Sequence, residues 1–228
     1  MKNPSGSRNS PARIWASQLA RHPGLLDGFT LCSDYCLNAN PFFTPDMFSE
    51  LIAPDLKRVI DGYRDMGFYT IKHTDGNIMP ILDQIVQCGP DAIHSLDPQG
   101  GVDLADVKRR YGDRVALIGN VNCGLLQTGT AEECAADVRR SLRQGMEGWG
   151  YIFSTSNCVY TGLELSRYEM MMDIWWKEGV YAPGGLPAPC VEFSFAGRNS
   201  NTVSIRFTIR TGKPFIKQGL SEERPLQI

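Results

Sequence analysis

No apolar run in this sequence approaches the roughly 20 residues that a helix needs to cross a bilayer, so a membrane-spanning helix is not expected. The opening stretch Met1–Arg13 is polar and lacks the apolar centre of a signal peptide, which makes the cytoplasm the expected compartment. Neither sign of charge is in surplus, with 23 basic side chains against 25 acidic ones and a formal net charge of -2. The lack of a basic excess speaks against a nucleic-acid partner, and no acidic block suggests a solvating tail. A small-molecule substrate or a protein is the expected partner. There is no Cys-x-x-Cys pair and none of the cysteine density of a secreted disulfide scaffold. The seven cysteines (Cys32, Cys36, Cys88, Cys123, Cys134, Cys158 and Cys190) are odd in number and scattered. Reduced thiols follow, any of which could serve as a ligand. Tandem repeats of solenoid period and low-complexity tracts are missing as well.

What remains is the composition of an ordinary globular protein, 42% hydrophobic and 21% charged, with enough apolar material for a core in one or two domains. From Gly28 to Tyr181 the hydrophobic period switches repeatedly between short buried strands and amphipathic helices, the pattern of βα units around a parallel sheet. Strands are predicted over Phe29–Ser33, Phe68–Lys72, Ala92–Leu96, Val115–Gly119 and Tyr151–Ser154. Between them, Thr44-Pro45 offers an N-cap and a proline at the first helical position, and Pro54 restarts the helix. Leu56, Val59, Ile60 and Tyr63 then form one apolar stripe that ends at Gly67. Further helices are predicted over Ile78–Cys88, with Pro80 in the first turn, and over Leu104–Tyr111. Thr130 with Glu133, and Ser166 with Glu169, are spaced as capping boxes for helices at 131–145 and 167–178. That makes about five βα units, whereas a closed barrel has eight in about 250 residues. The expected fold is α/β, an incomplete (β/α)8 barrel of the TIM type whose sheet does not close by itself.

The division expected along the chain is an N-terminal segment at 1–27, the partial barrel at 28–181 and a tail at 182–228. Pro183, Pro187 and Pro189 with Gly184 and Gly185 read as a linker. Beyond it Val191, Phe193 and Phe195, then Val203, Ile205, Phe207 and Ile209, alternate with polar residues around a loop at Gly197–Asn201, as in a β-hairpin with one apolar face.

In parallel α/β folds the chemistry lies beyond the C-terminal ends of the strands. Polar residues follow each predicted strand: Asp34; His73-Thr74-Asp75-Gly76-Asn77; Asp97-Pro98-Gln99-Gly100; Asn120-Val121-Asn122-Cys123; and Ser154-Thr155-Ser156-Asn157-Cys158. All five groups are expected at one mouth. His94 falls inside a strand and reads as a core or interlayer side chain, and Tyr168, Trp175 and Trp176 lie at helical spacing and read as packing.

The order of these motifs resembles the second half of the uroporphyrinogen decarboxylase superfamily. The resemblance rests on His73-x-Asp75-Gly76-Asn77, on Gly89-Pro90-Asp91-Ala92-Ile93-His94-Ser95-Leu96-Asp97-Pro98 with Asp103-Leu104 and Lys108, and on Gly119-Asn120-Val121-Asn122 with Leu126 and Gly129-Thr130-Ala131-Glu132-Glu133. It covers Asp34 to about Tyr181. That superfamily includes porphyrinogen decarboxylases and zinc-dependent enzymes that move methyl groups between corrinoids and a thiol or folate acceptor. The decarboxylases carry an Arg-rich segment that grips substrate carboxylates, to which nothing in Met1–Asp27 is similar. Their Asn-Leu-Asp-Pro stands here as Asn120-Val121-Asn122-Cys123, and their Gly-His-Gly as Ser156-Asn157-Cys158. The zinc methyltransferases are similar in having a His after one strand and a Cys after the last, although their His-x-Cys is His73-Thr74-Asp75 here.

His73, Asp75 and Cys158 are admissible zinc ligands, and three protein ligands with an open fourth position describe a catalytic site able to ionise an acceptor thiol. The alternative is that His73 and Asp75 are substrate hydrogen-bonders or structural groups, Cys158 a small thiol, and Asp75 a general acid or base. Asp34, Asn77, Asp97, Asn120, Asn122 and Asn157 are the expected substrate-binding groups, with turn and capping bonds as their structural alternative. What the resemblance implies is a methyltransferase-like enzyme, with zinc and with a corrinoid as substrate or carried by a corrinoid protein. A tetrapyrrole decarboxylase needing no cofactor is the alternative. A truncated or split module, which self-associates or needs a partner chain to complete the barrel, is the non-catalytic one.

Overall fold

A computed structural model describes residues 24–181, apart from the extra positions 18, 21 and 22. The Pro/Gly linker, the expected hairpin at 191–209 and the first 17 residues lie outside the described residues. Seven strands run along the described chain: β1 (Gly28–Cys32), β2 (Cys36–Leu37), β3 (Asn40–Pro41), β4 (Tyr69–Thr74), β5 (Ala92–Ser95), β6 (Ala116–Val121) and β7 (Tyr151–Thr155). Seven α-helices accompany them: α1 (Pro45–Met47), α2 (Ala53–Asp65), α3 (Leu82–Gln87), α4 (Leu104–Tyr111), α5 (Cys123–Thr128), α6 (Ala131–Met146) and α7 (Leu165–Glu178). A π-helical turn, Phe48–Ile52, joins α1 to α2.

The five predicted strands pair in parallel in the order β1-β4-β5-β6-β7, and β2 with β3 forms a separate antiparallel pair that the sequence did not announce. β1 and β7 are the two edges, so the described sheet is an open arc, five strands of the eight a closed barrel has. Among the described residues no helix is long and apolar enough to cross a membrane.

Local chemistry explains most helix starts. Thr44 caps α1 by accepting from the Met47 N–H, Asp103 caps α4 through the Ala105 N–H, and Thr130 and Glu133 form the expected reciprocal box on α6. The second expected box is absent. α7 begins one residue before Ser166, with Glu164 as its N-cap; the Glu164 side chain makes no capping bond and instead lies 3.6 Å from the Arg167 guanidinium. On α2, Leu56, Ile60 and Tyr63 are buried, while Val59 turns out of the stripe and is 44% exposed. α3 starts four residues later than expected, since Ile78–Ile81 closes as a turn around Pro80 before the helix begins.

β7 runs one residue further than predicted, to Thr155, and two strands run two residues further, which moves the candidate site. β4 continues through His73 to Thr74, and β6 continues through Asn120 to Val121. Polar composition suggested that both had ended. Ladder pairing decides otherwise, for His73 is opposite Cys32 on one side and His94 on the other, and Asn120 is opposite Ser154.

Side chains alternate between the two faces of each strand. Ile93 and Leu117 point to the helices and join Phe48, Ile60, Ile81, Leu82, Ile85 and Leu104 in the main core. A second core holds Val121, Leu126, Val138, Leu142, Met171 and Ile174 between α6 and α7; Tyr168 and Trp175 pack on it as their spacing suggested, whereas Trp176, expected to pack with them, is 59% exposed. The opposite face carries a small cluster of Ala92, Ala116 and Ile118, flanked by Ile71 and Ile152. His73 and His94 share that face, in register with Ile118 and Ile152.

Candidate functional site

The mouth is assembled by backbone contacts that admit only small residues. Gly76, after β4, has φ +77, and a Cβ there would lie 2.8 Å from the carbonyl oxygen of Asn38 in the β2–β3 turn. Gly100 packs directly on the backbone of Gly76. Asn77 ties the same loops together: its N–H donates to the Asn38 carbonyl at 2.6 Å and its side-chain amide to Ala39 at 3.1 Å, while its Oδ1 accepts from Met79. Asp97 accepts from Gly76 and Gln99. Both residues, expected to bind substrate, spend these bonds on holding the loops.

On this frame the backbone N–H of Asp75 donates to Oδ1 of Asp34 at 3.0 Å. Oδ2 of Asp75 accepts from the side-chain amide of Asn157 at 2.6 Å, across 82 positions of sequence. Oδ1 of Asp75 is buried, has no hydrogen-bond partner among the described residues, and lies 3.7 Å from Nε2 of His73. One ligand atom each from Asp34, His73 and Asp75 lie within 4.8 Å of one another. Cys158 is not in that group. Its thiol is exposed and its N–H is taken by Oδ1 of Asn157, so it is Asn157 that the last strand directs at Asp75. Of the three expected ligands the structure thus groups His73 and Asp75, with Asp34 and not Cys158 as the third member.

The other half of the expected mouth is structural. Asn120 is fully buried; its side-chain amide donates to the Leu96 carbonyl at 2.7 Å and its Oδ1 accepts from Arg140 at 2.9 Å. Asn122 is the N-cap of α5, accepting from Leu125 at 3.1 Å. The Asn120 side chain is thus enclosed, and the Oδ1 of Asn122 is taken by the cap.

Two residues of the site escaped the sequence reading. His94 is one: its Nδ1 lies 2.8 Å from Nδ1 of His73, the rings 4.9 Å apart at centroids, and its Nε2 lies 3.4 Å from the Thr155 carbonyl. Burial holds His94 below the usual histidine range, the neighbouring His73 adds to this, and the Thr155 hydrogen bond opposes it. The signal was in the phase of the strands, since Ile71-x-His73 and Ala92-x-His94 alternate alike. The other is Lys72, fully buried, whose ammonium donates to the carbonyls of Leu31, Ser33 and His73 and lies 4.3 Å from the centre of the Tyr35 ring. Burial pushes it down to about 8, opposed by Asp34 and Cys32. A lysine inside an apolar strand was its only signal.

An open parallel arc, helices on one face and polar groups gathered where its strands end, is the α/β barrel class of architecture. Comparison with known proteins then narrows the class. The sequence profile of the family Uroporphyrinogen decarboxylase (URO-D) matches residues 34–177, and the chain belongs to that family. It is 26% identical over 147 residues to a uroporphyrinogen decarboxylase of Thioalkalivibrio sulfidiphilus, covering 60% of this chain and 39% of that protein. With the uroporphyrinogen decarboxylase of Photobacterium profundum it shares 30% identity over 128 residues, 51% of this chain and 33% of the relative. Among solved structures a methyltransferase from Methanosarcina mazei matches with a TM-score of 0.59 at 20% identity, over 73% of this chain and 46% of that one. That likeness establishes a shared fold, of which the described residues form a part. The aligned region is thus about a third of the length of the relatives and under half of the solved structure.

Proposed function

We propose that this chain carries the mouth of a methyltransferase-type URO-D protein, in which Asp34, His73 and Asp75 hold a zinc ion for methyl transfer between a corrinoid and a thiol or folate acceptor. The corrinoid would be a substrate or the cargo of a partner protein. The observation that carries the reading is Oδ1 of Asp75: a buried carboxylate oxygen without a partner, 3.7 Å from an imidazole nitrogen. That separation is too long for a hydrogen bond, and leaving such an oxygen unpaired costs about 1–3 kcal/mol. A cation between the two groups removes the cost. Imidazole nitrogen and carboxylate oxygen are both zinc ligands, and three protein ligands with an open fourth position are the arrangement of a catalytic site.

When bound, the ion supplies a positive charge that favours the ionised form of an acceptor thiol. The residues around it set the geometry. Asn157 holds Oδ2 of Asp75 and so turns Oδ1 toward His73; the Asp75 N–H holds Asp34; Asp97 steadies Gly76 behind them. The exposed Cys158 thiol, next to Asn157, is left for contact with a substrate rather than for ligation.

The names of the relatives favour a second reading, decarboxylation of a porphyrinogen. The charge of the described mouth fits it less well. Asp34, Asp75 and Asp97 line the loops, and the ammonium of Lys72 is committed to backbone oxygens beneath them. Substrate carboxylates would meet carboxylates there. Incubating the purified protein with zinc, methylcobalamin and a small thiol separates the readings. The expected result is zinc-dependent loss of the methylcobalamin absorbance that His73→Ala and Asp75→Ala abolish. Release of carbon dioxide from a porphyrinogen, indifferent to zinc, would establish the second reading instead, and neither activity would point to a non-catalytic partner role.

A further inference from the structure

We propose that His94 is a positioning residue: it fixes the proton of His73 on Nδ1, so that Nε2 of His73 faces Asp75 as a bare lone pair. For its metal-binding consequence this rests on the zinc reading above; the tautomer itself does not.

Hydrogen-bond roles along the row leave one assignment. The Thr155 carbonyl can only accept, so Nε2 of His94, 3.4 Å away, carries the N–H of that ring. A neutral imidazole has a single N–H, which makes Nδ1 of His94 an acceptor. Nδ1 of His73 sits 2.8 Å from that acceptor and must therefore donate. The His73 proton is then committed on the side away from Asp75, and Nε2 is left without one. Strand register makes the contact specific. His73 and His94 are opposite each other in the β4–β5 ladder, and a slip of one residue would place Ile93 or Ser95 there and turn His94 to the helices.

A histidine that ligates a metal gives its second N–H to an acceptor in this way, usually a carboxylate, a carbonyl or water, and loss of that acceptor weakens metal binding about 10–100-fold. Here an imidazole takes the acceptor's place. It orients the ring without adding negative charge to a site that already holds Asp34 and Asp75.

Long-range proton–nitrogen NMR on the metal-free protein at alkaline pH reads the tautomers directly, and the chain has only three histidines to assign, His22, His73 and His94. The expected pattern is Nδ1–H on His73 and Nε2–H on His94. In His94→Asn the amide oxygen takes the place of Nδ1, so His73 should keep its Nδ1–H form and zinc affinity by calorimetry should stay near that of the wild type. In His94→Phe, similar in shape but without an acceptor, His73 should shift toward Nε2–H and zinc affinity should fall about 10–100-fold. His73 carrying its proton on Nε2 in the wild type overturns the proposal, as does a folded His94→Phe protein that binds zinc like the wild type. Should His94→Phe fail to fold, the wild-type tautomer and the His94→Asn rescue still decide. Failure of the zinc reading is distinguishable: a wild type with Nδ1–H on His73 and no zinc affinity removes the metal and upholds the positioning role.

Discussion

Asp75 and Asn120 both lie where a parallel strand ends and both are polar, yet their surroundings treat them oppositely. Asn120 is fully buried, and its amide, carbonyl oxygen and backbone N–H bind Leu96, Arg140 and Ser141. Asp75 has one oxygen held by Asn157 and the other, itself buried, bound to nothing described. The lesson is that position at a strand end does not mark a functional group. Spare hydrogen-bonding capacity beside other polar groups is the better guide: Gln84 Oε1 and Ser95 Oγ are also buried without a partner, but only Asp75 Oδ1 belongs to the group with Asp34 and His73.

The largest effect on stability should come from the satisfied half. Asn120→Leu leaves the Leu96 carbonyl and the Arg140 guanidinium without their partner and should lower unfolding free energy by about 2–3 kcal/mol in urea titration. A change below about 0.5 kcal/mol would mean that the network is not what holds β6 to α6. Asn122→Ala removes the cap of α5 and should cost about 1 kcal/mol, with zinc affinity unchanged. If zinc affinity fell instead, Asn122 would belong to the site after all.

Thiol chemistry sharpens the contrast with a smaller effect. Cys158 is exposed and Cys36 is buried, its thiol pushed up to about 11 by burial and by Asp34. Only the thiolate reacts, so mass-spectrometric mapping of alkylation at pH 8 should find Cys158 modified well before Cys36. Zinc should leave the Cys158 rate unchanged, whereas protection by zinc would restore Cys158 as a ligand. The sign of the pH effect follows from the raised value. Between about 9 and 11 the unfolded chain loses the Cys36 proton while the folded one keeps it, so this contribution to stability is complete below 9 and is lost as pH rises toward 11.

Much of the arc was legible in the sequence because periodicity and capping are local. Thr130 with Glu133, Asp103 and Thr44 each satisfy helix ends within three residues. Ser166 with Glu169 shows the limit, since the same spacing lies inside a helix whose start was set elsewhere. The site was legible in part. His73 and Asp75 stood out as polar residues at a strand end, and Asn157 does reach Asp75. What decided their partners was not local. Choosing Asp34 over Cys158 depends on a bond between residues 41 positions apart, and His94 enters only through strand register. Asn120 looked functional because its partner Arg140 lies on a helix 20 positions away.

The most direct test of the central claim is a calorimetric zinc titration of the 228-residue chain beside Asp75→Asn and Cys158→Ala. The account predicts one zinc site in the wild type, its loss in Asp75→Asn without loss of folding, and wild-type affinity in Cys158→Ala. No zinc binding by the wild type, or binding lost in Cys158→Ala and kept in Asp75→Asn, would contradict it.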